Sequence, residues 1–441
     1  MAGTRLRVGV TSLLGRLAAK STPPVFITAG MAAAEVVAQL EASGEIHRVD
    51  SPAAATVLLV VGGIPRALEP SVAAVHDAMP HPRGTVHLPL GFDHGSLPTS
   101  PHALISGSAE NVLVVIRDVF AELMSGRRAS DPALLPDVDP NPWRGVGPYG
   151  QGGSGMTGGT PYGRPMAELG ADRDALRLDI LPLRLGPLFA PLGTGVTLEA
   201  TMAGDVIVEA RLADSPFAPP KDPGSARIFQ RALNMQVPIA EVEIARARDH
   251  LRWVASSLAV MGIPALAMRT LRLAAEPLPD ASRVAALARR LRVLRIPTLP
   301  WAGRGPLAAD AVHGLALGPV SRAAGAPNDA RMDEPAYRRL GFEPLVGRAG
   351  DAAERWTLRL REAAASLDLA QRAGATEAWG SGVVESPRGR LTPASAPFSR
   401  VQALVPSLLE GLEWGDAVVS LVSLDIDASE VATAAASEAA A

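Results

Sequence analysis

The chain contains no cysteine. It therefore forms no disulfide, presents no thiolate nucleophile and offers no cysteine ligand to zinc or to an iron–sulfur cluster. This single absence excludes several classes of redox and metalloprotein chemistry.

Lysine is scarce, since Lys20 and Lys221 are the only two and every other basic residue is arginine. The 42 basic and 45 acidic residues give a net charge of −3. A balance of this kind produces no overall field that attracts nucleic acid, so no nucleic-acid partner is predicted. We expect the arginines to be solvated or held in ion pairs.

Long apolar runs are also missing. The longest compact run covers residues 57–61, which is far too short to span a bilayer. The basic N-terminal stretch is interrupted by Gly9 and Gly15 and lacks the continuous apolar core of a secretory signal. With 441 residues, 47% of them hydrophobic, the chain is expected to be a cytoplasmic globular protein of roughly two to three domains.

The first part of the chain alternates short apolar runs with helical ones. The pattern predicts strands at residues 25–28, 56–61 and 85–88, and helices at 32–40, 69–79 and 109–123. This alternation is typical of a parallel sheet covered on both faces. We assign residues 1–125 to a flavodoxin-like α/β domain.

A proline- and glycine-rich connection follows over residues 126–165, with nine glycines between Gly145 and Gly163. Glycine lets a backbone approach another surface closely, and aromatic residues are unusual in a plain linker. We therefore predict an ordered loop that binds a protein or a lipid headgroup, or else straps the two halves together. The interface candidates are Trp143, Tyr149, Met156, Tyr162 and Arg164.

The second part predicts a small antiparallel sheet and then helices. Apolar residues alternate over 196–202 and 206–212 around Gly204 and Asp205, with a third strand near 176–180. Beyond Pro219 the apolar period becomes helical around residues 244–261, 284–294, 356–370 and 404–412. This α+β domain, with its helix bundle, is placed at 166–430, and residues 431–441 are predicted to be a disordered tail.

Three sequence patterns could indicate a catalytic or cofactor-binding site, and two of them are as follows. Gly150 to Gly155 match the dinucleotide fingerprint, but Pro148 precedes them and Pro161 follows, where a strand and a helix are required; no free dinucleotide is predicted. Asp249 and His250 lie on a predicted helix, either as a polar helix–helix contact or as an acid/base pair.

Five histidines fall within 27 residues, namely His76, His81, His87, His94 and His102. No pair has the helical spacing of metal ligands, and the prolines among them indicate loops. Scattered surface histidines are the favoured interpretation. No catalytic, cofactor-binding or metal-binding residue is assigned from these patterns.

Several segments together resemble subunits shared by complex I (NADH:quinone oxidoreductase) and membrane-bound nickel–iron hydrogenases. Residues 55–91, with a strand ending in Gly62 and the turn Met79-Pro80-His81-Pro82, resemble the small, 20-kDa subunit. Segments 185–206, 243–262, 318–337 and 384–389 resemble the large, 49-kDa or hydrogenase catalytic subunit. The resemblance spans roughly residues 20–430 and implies a fusion of the two subunits, with a hydrogenase large-subunit-like second domain.

The departures from the family concern its metal ligands. The small subunit carries cluster cysteines in a loop similar to residues 29–35, where this chain has Met31 and Ala34, and the turn at 90–93 also lacks one. The hydrogenase large subunit ends in Asp-Pro-Cys-x-x-Cys, and residues 423–430 stand there without a thiol. Carboxylate or alanine cannot replace thiolate in these clusters.

Two further departures concern the large subunit. The earlier Cys-x-x-Cys segment of the hydrogenase large subunit is shortened away between Pro216 and Arg227. The quinone-binding loop of complex I carries a histidine after Gly-Pro, and this chain has Gly186-Pro187-Leu188 instead. The resemblance therefore implies a cofactor-free structural or coupling subunit of a proton- or ion-translocating assembly. It would lie on the inner face of the cell membrane with integral-membrane antiporter-like partners. The alternatives are an active redox subunit of the same family and a freestanding enzyme.

Overall fold

The computed structural model describes residues 15, 17–31, 33–90, 97–105, 109–137, 168–171, 176–218 and 227–430. The interface candidates of the glycine-rich loop, Trp143, Tyr149, Met156, Tyr162 and Arg164, lie outside these residues, as does the fingerprint at 150–155.

A five-stranded parallel sheet forms the N-terminal part. Its strands are β1 (Pro24–Ala29), β2 (His47–Arg48), β3 (Val57–Val61), β4 (Gly84–Leu88) and β5 (Ala103–Leu104), in the order β2-β1-β3-β4-β5. Helices α1 (Ala34–Ser43), α2 (Glu69–Asp77) and α3 (Ala109–Met124) complete it. This strand order is that of flavodoxin-like sheets, and the predicted parallel sheet is confirmed. The edge strands β2 and β5 have two residues each, too few to give a pattern.

Strand β3 is central because all five of its residues are apolar and all are buried. Leu59 pairs with Ile27 on one side and with Val86 on the other. At its end Gly62 adopts a φ of 79°, and a Cβ there would lie 2.1 Å from the Met31 carbonyl oxygen. Glycine is therefore required for the loops after β1 and β3 to meet.

A separate antiparallel sheet contains β6 (Leu169–Ala171), β7 (Arg177–Leu185), β8 (Leu198–Ala203) and β9 (Val206–Leu212) in sequential order. The turn between β8 and β9 uses Gly204 at a φ of 60°. The predicted hairpin and its third strand are confirmed, and β6 adds a fourth strand.

Helices dominate the remainder. They are α4 (Ile228–Asn234), α5 (Ile239–Val260), α6 (Pro264–Ala275), α7 (Ala281–Val293), α8 (Thr298–Trp301), α9 (Ala309–Val312), α10 (Pro319–Ala323), α11 (Pro335–Arg339), α12 (Ala352–Ala373), α13 (Pro397–Leu409) and α14 (Trp414–Val422). Two small pairs, β10 (Val237–Pro238) with β11 (Glu377–Ala378) and β12 (Val384–Ser386) with β13 (Gly389–Leu391), join them. In the described residues, no helix combines the length and the apolar character that a membrane crossing needs.

The two longest helices, α5 and α12, pack against each other and carry the site described below. The Asp351 carboxylate caps α12 by accepting a hydrogen bond from the Glu354 amide at 2.8 Å, a cap that typically contributes about 1 kcal/mol. One apolar core joins α5 and α12 to the parallel sheet through Leu58 and to the antiparallel sheet through Leu198. The domain boundaries at residues 125 and 166 stay a prediction.

Candidate functional site

A cavity of about 250 Å³ lies where segments distant in sequence converge; we call it the junction cavity. The loop after β1 contributes Gly30 and Ala34, and residues 191–194 line a second side. The remaining walls come from Phe217, Arg227, Asp249, Arg252, Trp253, Ser256, Arg388, Leu421, Val422, Asp425, Ile426, Asp427 and Ser429. Some of these residues belong to, or flank, three of the segments that are compared above with cysteine-bearing segments: Gly30 and Ala34, Phe217 and Arg227, and Asp425 to Asp427.

Paired arginines and aspartates hold the C-terminal wall of the junction cavity. Arg388 donates to the Asp425 carbonyl oxygen at 3.0 Å and to its Oδ1 at 3.1 Å, and its Nη1 lies 3.6 Å from Asp427 Oδ2. Arg227 forms an ion pair with Asp427 and donates to the Ser429 hydroxyl at 3.0 Å. Every carboxylate in this wall therefore already has a guanidinium partner.

Burial alone would raise the pKa of Asp427, but Arg227 and Arg388 hold that pKa well below its usual range. The same balance, with Arg252 as the main cation, lowers the pKa of Asp249. Both groups are carboxylates at neutral pH, so the wall is a set of fixed charges with no proton to give.

A second cluster lies between α5 and α12, which we call the inter-helix ion network. Its members are Glu243, Arg246, His250, Arg322, Asp329, Arg331, Glu362 and Glu385. All eight are buried. Charges taken out of water are tolerated only when they are paired and hydrogen-bonded.

Arg322 is the cationic centre of this network. Its Nη2 lies 2.7 Å from Glu362 Oε1, and its Nη1 lies 2.8 Å from Asp329 Oδ2 and 3.1 Å from Glu385 Oε1. One guanidinium thus neutralises carboxylates from three separate chain segments. These contacts raise the pKa of Arg322, although burial opposes them.

Glu243 is the matching acidic centre. It accepts hydrogen bonds from the Tyr337 hydroxyl at 2.8 Å and the Ser366 hydroxyl at 2.6 Å. It also pairs with Arg246 at 3.3 Å and Arg331 at 3.2 Å. Burial would raise the pKa of Glu243, but these four partners lower it. Glu243 is therefore a permanently charged anchor between the helices.

Local backbone geometry places the arginines of both clusters. Gly318 precedes α10 and has a φ of 55°, and a Cβ there would lie 2.8 Å from the Gly389 amide nitrogen. The turn before α10 therefore packs directly on the β12–β13 hairpin. This contact fixes Arg322 on α10 and Arg388 in the hairpin turn, so the glycine of the Gly318-Pro319 motif has a steric role.

Arg359 on α12 connects the two clusters. It donates to the Leu424 carbonyl oxygen at 2.9 Å and its Nε lies 3.4 Å from Asp425 Oδ2. One turn along, Glu362 belongs to the inter-helix ion network. A continuous buried polar stripe therefore runs along α12 from the junction cavity into the network.

The inter-helix ion network contains one acid that stays neutral more readily than the others. Burial, with the nearby Asp329 charge, raises the pKa of Glu385 to about 7 despite Arg322. Burial also lowers the pKa of His250, whose Nε2 lies 3.3 Å from Glu362 Oε2. With His250 neutral and Glu385 protonated, three arginines balance three carboxylates.

The residues present do not fit a nickel–iron centre or an iron–sulfur cluster. Such centres need thiolates, and the walls of the junction cavity offer arginine, aspartate and apolar groups instead. In the part of the chain that the structure describes, no group of three or more histidine, aspartate or glutamate side chains is arranged to hold a metal ion.

Asp249 and His250 are neighbours on α5 but face different clusters. Asp249 lines the junction cavity beside Arg252, whereas His250 is fully buried against Glu362 of α12. They do not form an acid/base pair. The interpretation of His250 as a polar position at a helix–helix contact is confirmed.

The expectation of scattered surface histidines is correct for His81 and wrong for His76 and His87. His81 is exposed, with its Nδ1 2.6 Å from the Ser130 hydroxyl. His76 is fully buried with its Nδ1 2.8 Å from Asp77, and His87 lies inside β4. A carboxylate neighbour makes burial of His76 tolerable. His94 lies outside the described residues.

Sequence reasoning missed the buried arginines. Arg355 and Arg359 have no exposed surface, yet they lie beside the apolar stripe of α12 that begins at Trp356. The sequence of α12 could have indicated them, because its charged residues at 355, 359 and 362 recur with the same helical period as its apolar residues. Such a second stripe indicates a helix buried on more than one side.

Titration of Glu430, a buried residue that follows Ser429 of the junction cavity, gives a testable pH dependence. Burial raises its pKa from the ordinary value near 4.5 to about 7, with Arg388, Asp427, Arg227 and Arg400 around it. Because the folded pKa is the higher one, this group stabilises the fold below about pH 4.5, and that contribution is lost as pH rises through 7.

Raising the pH from about 5.5 to 8 should lower the free energy of unfolding of the wild type by about 2 kcal/mol through this group. Glu430→Gln has no titrating group there and should not show this loss. Urea denaturation at the two pH values measures this difference. Glu410→Gln, at an exposed position, is the matched control and should follow the wild type. Equal pH dependence in all three proteins would contradict the assignment.

Comparison with known proteins agrees with part of the resemblance. A family model described as the respiratory-chain NADH dehydrogenase 49 Kd subunit matches residues 305–419. This region is about a quarter of the chain and includes α10, α12 and the β12–β13 hairpin. Over these residues the chain is similar to the 49-kDa subunit of the respiratory-chain NADH dehydrogenase. No curated protein matches it.

Among solved structures, one similar chain comes from the membrane-bound sulfane sulfur reductase (MBS), an archaeal respiratory membrane complex. The TM-score is 0.40 with 16% sequence identity, over 57% of this chain and 98% of that chain. A similarity at this level assigns neither fold nor function to the present chain.

Proposed function

We propose that this protein is a cofactor-free structural or coupling subunit of a membrane assembly related to complex I. It would lie on the cytoplasmic face and contact integral-membrane, antiporter-like subunits that move protons or other ions. The single observation that carries this proposal is the junction cavity, where Arg227 and Arg388 pair with aspartates of the C-terminal segment in which the resembling hydrogenase subunit has cysteine. The 49-kDa family match supports the large-subunit part.

Arginine–aspartate pairs can replace metal-bound thiolates as the tether between chain segments. Thiolates bound to a metal fix several chain segments to one point, and their loss would leave those segments untethered. In this chain Arg388 and Arg227 tie the C-terminal segment to the β12–β13 hairpin and to the start of α4. Charge pairs can therefore hold the same convergence without supplying an electron path.

The rival functions fit this geometry less well. A redox subunit of the family needs soft ligands that the chain does not contain. A freestanding enzyme acting through Asp249 and His250 needs both groups to reach one substrate, and they face different clusters. The fusion of small-like and large-like parts is included in our proposal.

Affinity purification from detergent-solubilised membranes of the native organism tests the proposal. Tagged protein should copurify with integral-membrane subunits. The glycine-rich loop is proposed as the docking element, so replacing Tyr149, Met156 and Tyr162 together by Ala should weaken this association. Replacing the exposed Leu104 and Leu135 by Ala is the control and should not. Recovery of the chain alone in the soluble fraction would overturn the proposal.

A further inference from the structure

The C-terminal end of α7 and the turn after it form a surface that combines unpaired cations with exposed apolar side chains. Residues 281–309 contain six arginines and no acidic residue, although acidic residues outnumber basic ones in the whole chain. Arg283 pairs with Glu276 and Arg304 with Asp416. The charge of this stretch is therefore far from the chain average.

Four arginines remain free for an external partner. Arg289, Arg290, Arg292 and Arg295 are exposed, and none forms an ion pair with another residue that the structure describes. Arg290 and Arg292 also lie in the last turn of α7, where cations are favourable to the helix dipole. The dipole does not explain the apolar residues between them.

Apolar side chains protrude at the same tip. Val293 is 79% exposed, Leu294 47% and Leu299 69%. Apolar side chains exposed to water do not stabilise the fold. Together with the arginines, they match the composition of a segment that lies on a lipid surface. Arg295 also adopts a φ of 56°, a left-handed conformation that glycine would adopt at lower cost.

The tip is anchored rather than loose. The last residue of α8, Trp301, is 2% exposed and packs edge-on against Trp253 of α5, with ring centroids 6.3 Å apart. On α7 itself, Val284, Leu287 and Leu291 face the core. The arginines and the exposed apolar side chains are therefore presented from a fixed base.

We propose that this tip, Arg289 to Leu299, binds the anionic headgroup surface of a lipid bilayer. Guanidinium groups would pair with lipid phosphates, while Val293, Leu294 and Leu299 enter the boundary between headgroups and acyl chains. Charge complementarity favours this occupant, because a zwitterionic surface carries no net negative charge and a cationic surface would repel the four arginines. The inference rests on the proposed membrane location for its biological meaning, but it concerns the affinity of this chain for lipid alone.

Vesicle cosedimentation of the purified full-length chain tests the proposal without partner subunits. Binding is expected to phosphatidylcholine vesicles containing phosphatidylglycerol, and to fall with added salt. Replacing Arg289, Arg290 and Arg292 together by Gln should reduce the partition coefficient about tenfold or more, since each basic residue near an anionic surface contributes about fivefold. Replacing the exposed Arg339, Arg348 and Arg361 by Gln is the charge-matched control and should have little effect.

A second variant separates a bilayer from other polyanions. Val293→Ser with Leu299→Ser should weaken vesicle binding several-fold, because the apolar contribution scales with buried area, and should leave binding to duplex DNA or polyglutamate unchanged. Absence of vesicle binding by the wild type, equal binding to neutral vesicles, or no response to either variant would overturn the proposal. Because no membrane subunit is present, such a failure is distinct from failure of the copurification experiment.

Discussion

Arg322→Met is expected to destabilise the protein by about 3–5 kcal/mol, since removing one partner of a buried ion network leaves uncompensated charge in the interior. The carboxylates of Glu362 and Asp329 lose their shared cation in this variant, and the acid group of Glu385 loses the same partner. Methionine fills much of the volume but supplies no donor. The loss approaches the whole stability of many domains, about 5–15 kcal/mol.

Chemical denaturation followed by tryptophan fluorescence measures this effect, because Trp253 and Trp356 lie in the core close to the network. Arg361→Met provides the matched control on the exposed side of α12. It should change the free energy of unfolding by no more than about 0.5 kcal/mol. Equal effects of the two substitutions would show that the buried network does not stabilise the fold.

Glu243→Gln is expected to cost about 3 kcal/mol, although the side chain keeps its shape, because the substitution leaves buried arginines without their anion. Arg246 has Glu243 as its only ion-pair partner among the described residues, and it also donates to the Glu385 carbonyl oxygen. Arg331 keeps Asp329. The same chemical change two residues earlier, Glu241→Gln, occurs at an exposed position and should be nearly neutral.

Thermal unfolding of the two glutamine variants at neutral pH distinguishes these expectations. A large fall in Tm for Glu243→Gln with almost none for Glu241→Gln supports a charged anchor. If Glu243→Gln unfolds like the wild type, the hydrogen bonds from Tyr337 and Ser366 suffice and the charge of Glu243 is unimportant.

The sequence allowed the regular elements to be predicted because their signals are local. The all-apolar run in β3 and the alternation in β8 and β9 each lie within a few residues, and the structure has strands there. The helical periods of α5 and α12 were equally clear. What these patterns could not supply is the partner of each charged residue on those helices.

Both charge clusters depend on contacts between residues far apart in the chain. Arg322 meets Glu385 across 63 residues, and Arg227 meets Asp427 across 200. An arginine in a helical stripe gives the same local pattern whether it is solvated or buried in an ion pair. The expectation of solvated or paired arginines therefore gave no indication of which ones are buried.

The resemblance to a two-subunit redox family indicated which segments have lost metal ligands, and composition alone could not show this. It marked four segments as the places where the family carries cysteine, and parts of three of them line one cavity, namely Ala29, Gly30 and Ala34, Arg227, and Asp425 to Asp427 with Ser429. The geometry adds the reason this cavity can persist without thiolates, namely its guanidinium–carboxylate pairs. The interface residues predicted at 143–164 lie outside the described residues and keep the standing of a proposal.

Metal analysis of the anaerobically purified chain tests the central claim most directly. Our account predicts iron and nickel well below one atom per chain, with no visible cluster absorbance, because no thiolate is available to hold either metal. Stoichiometric iron or nickel, retained through purification together with a cluster chromophore, would contradict the claim that charge pairs stand where the related subunits bind metal.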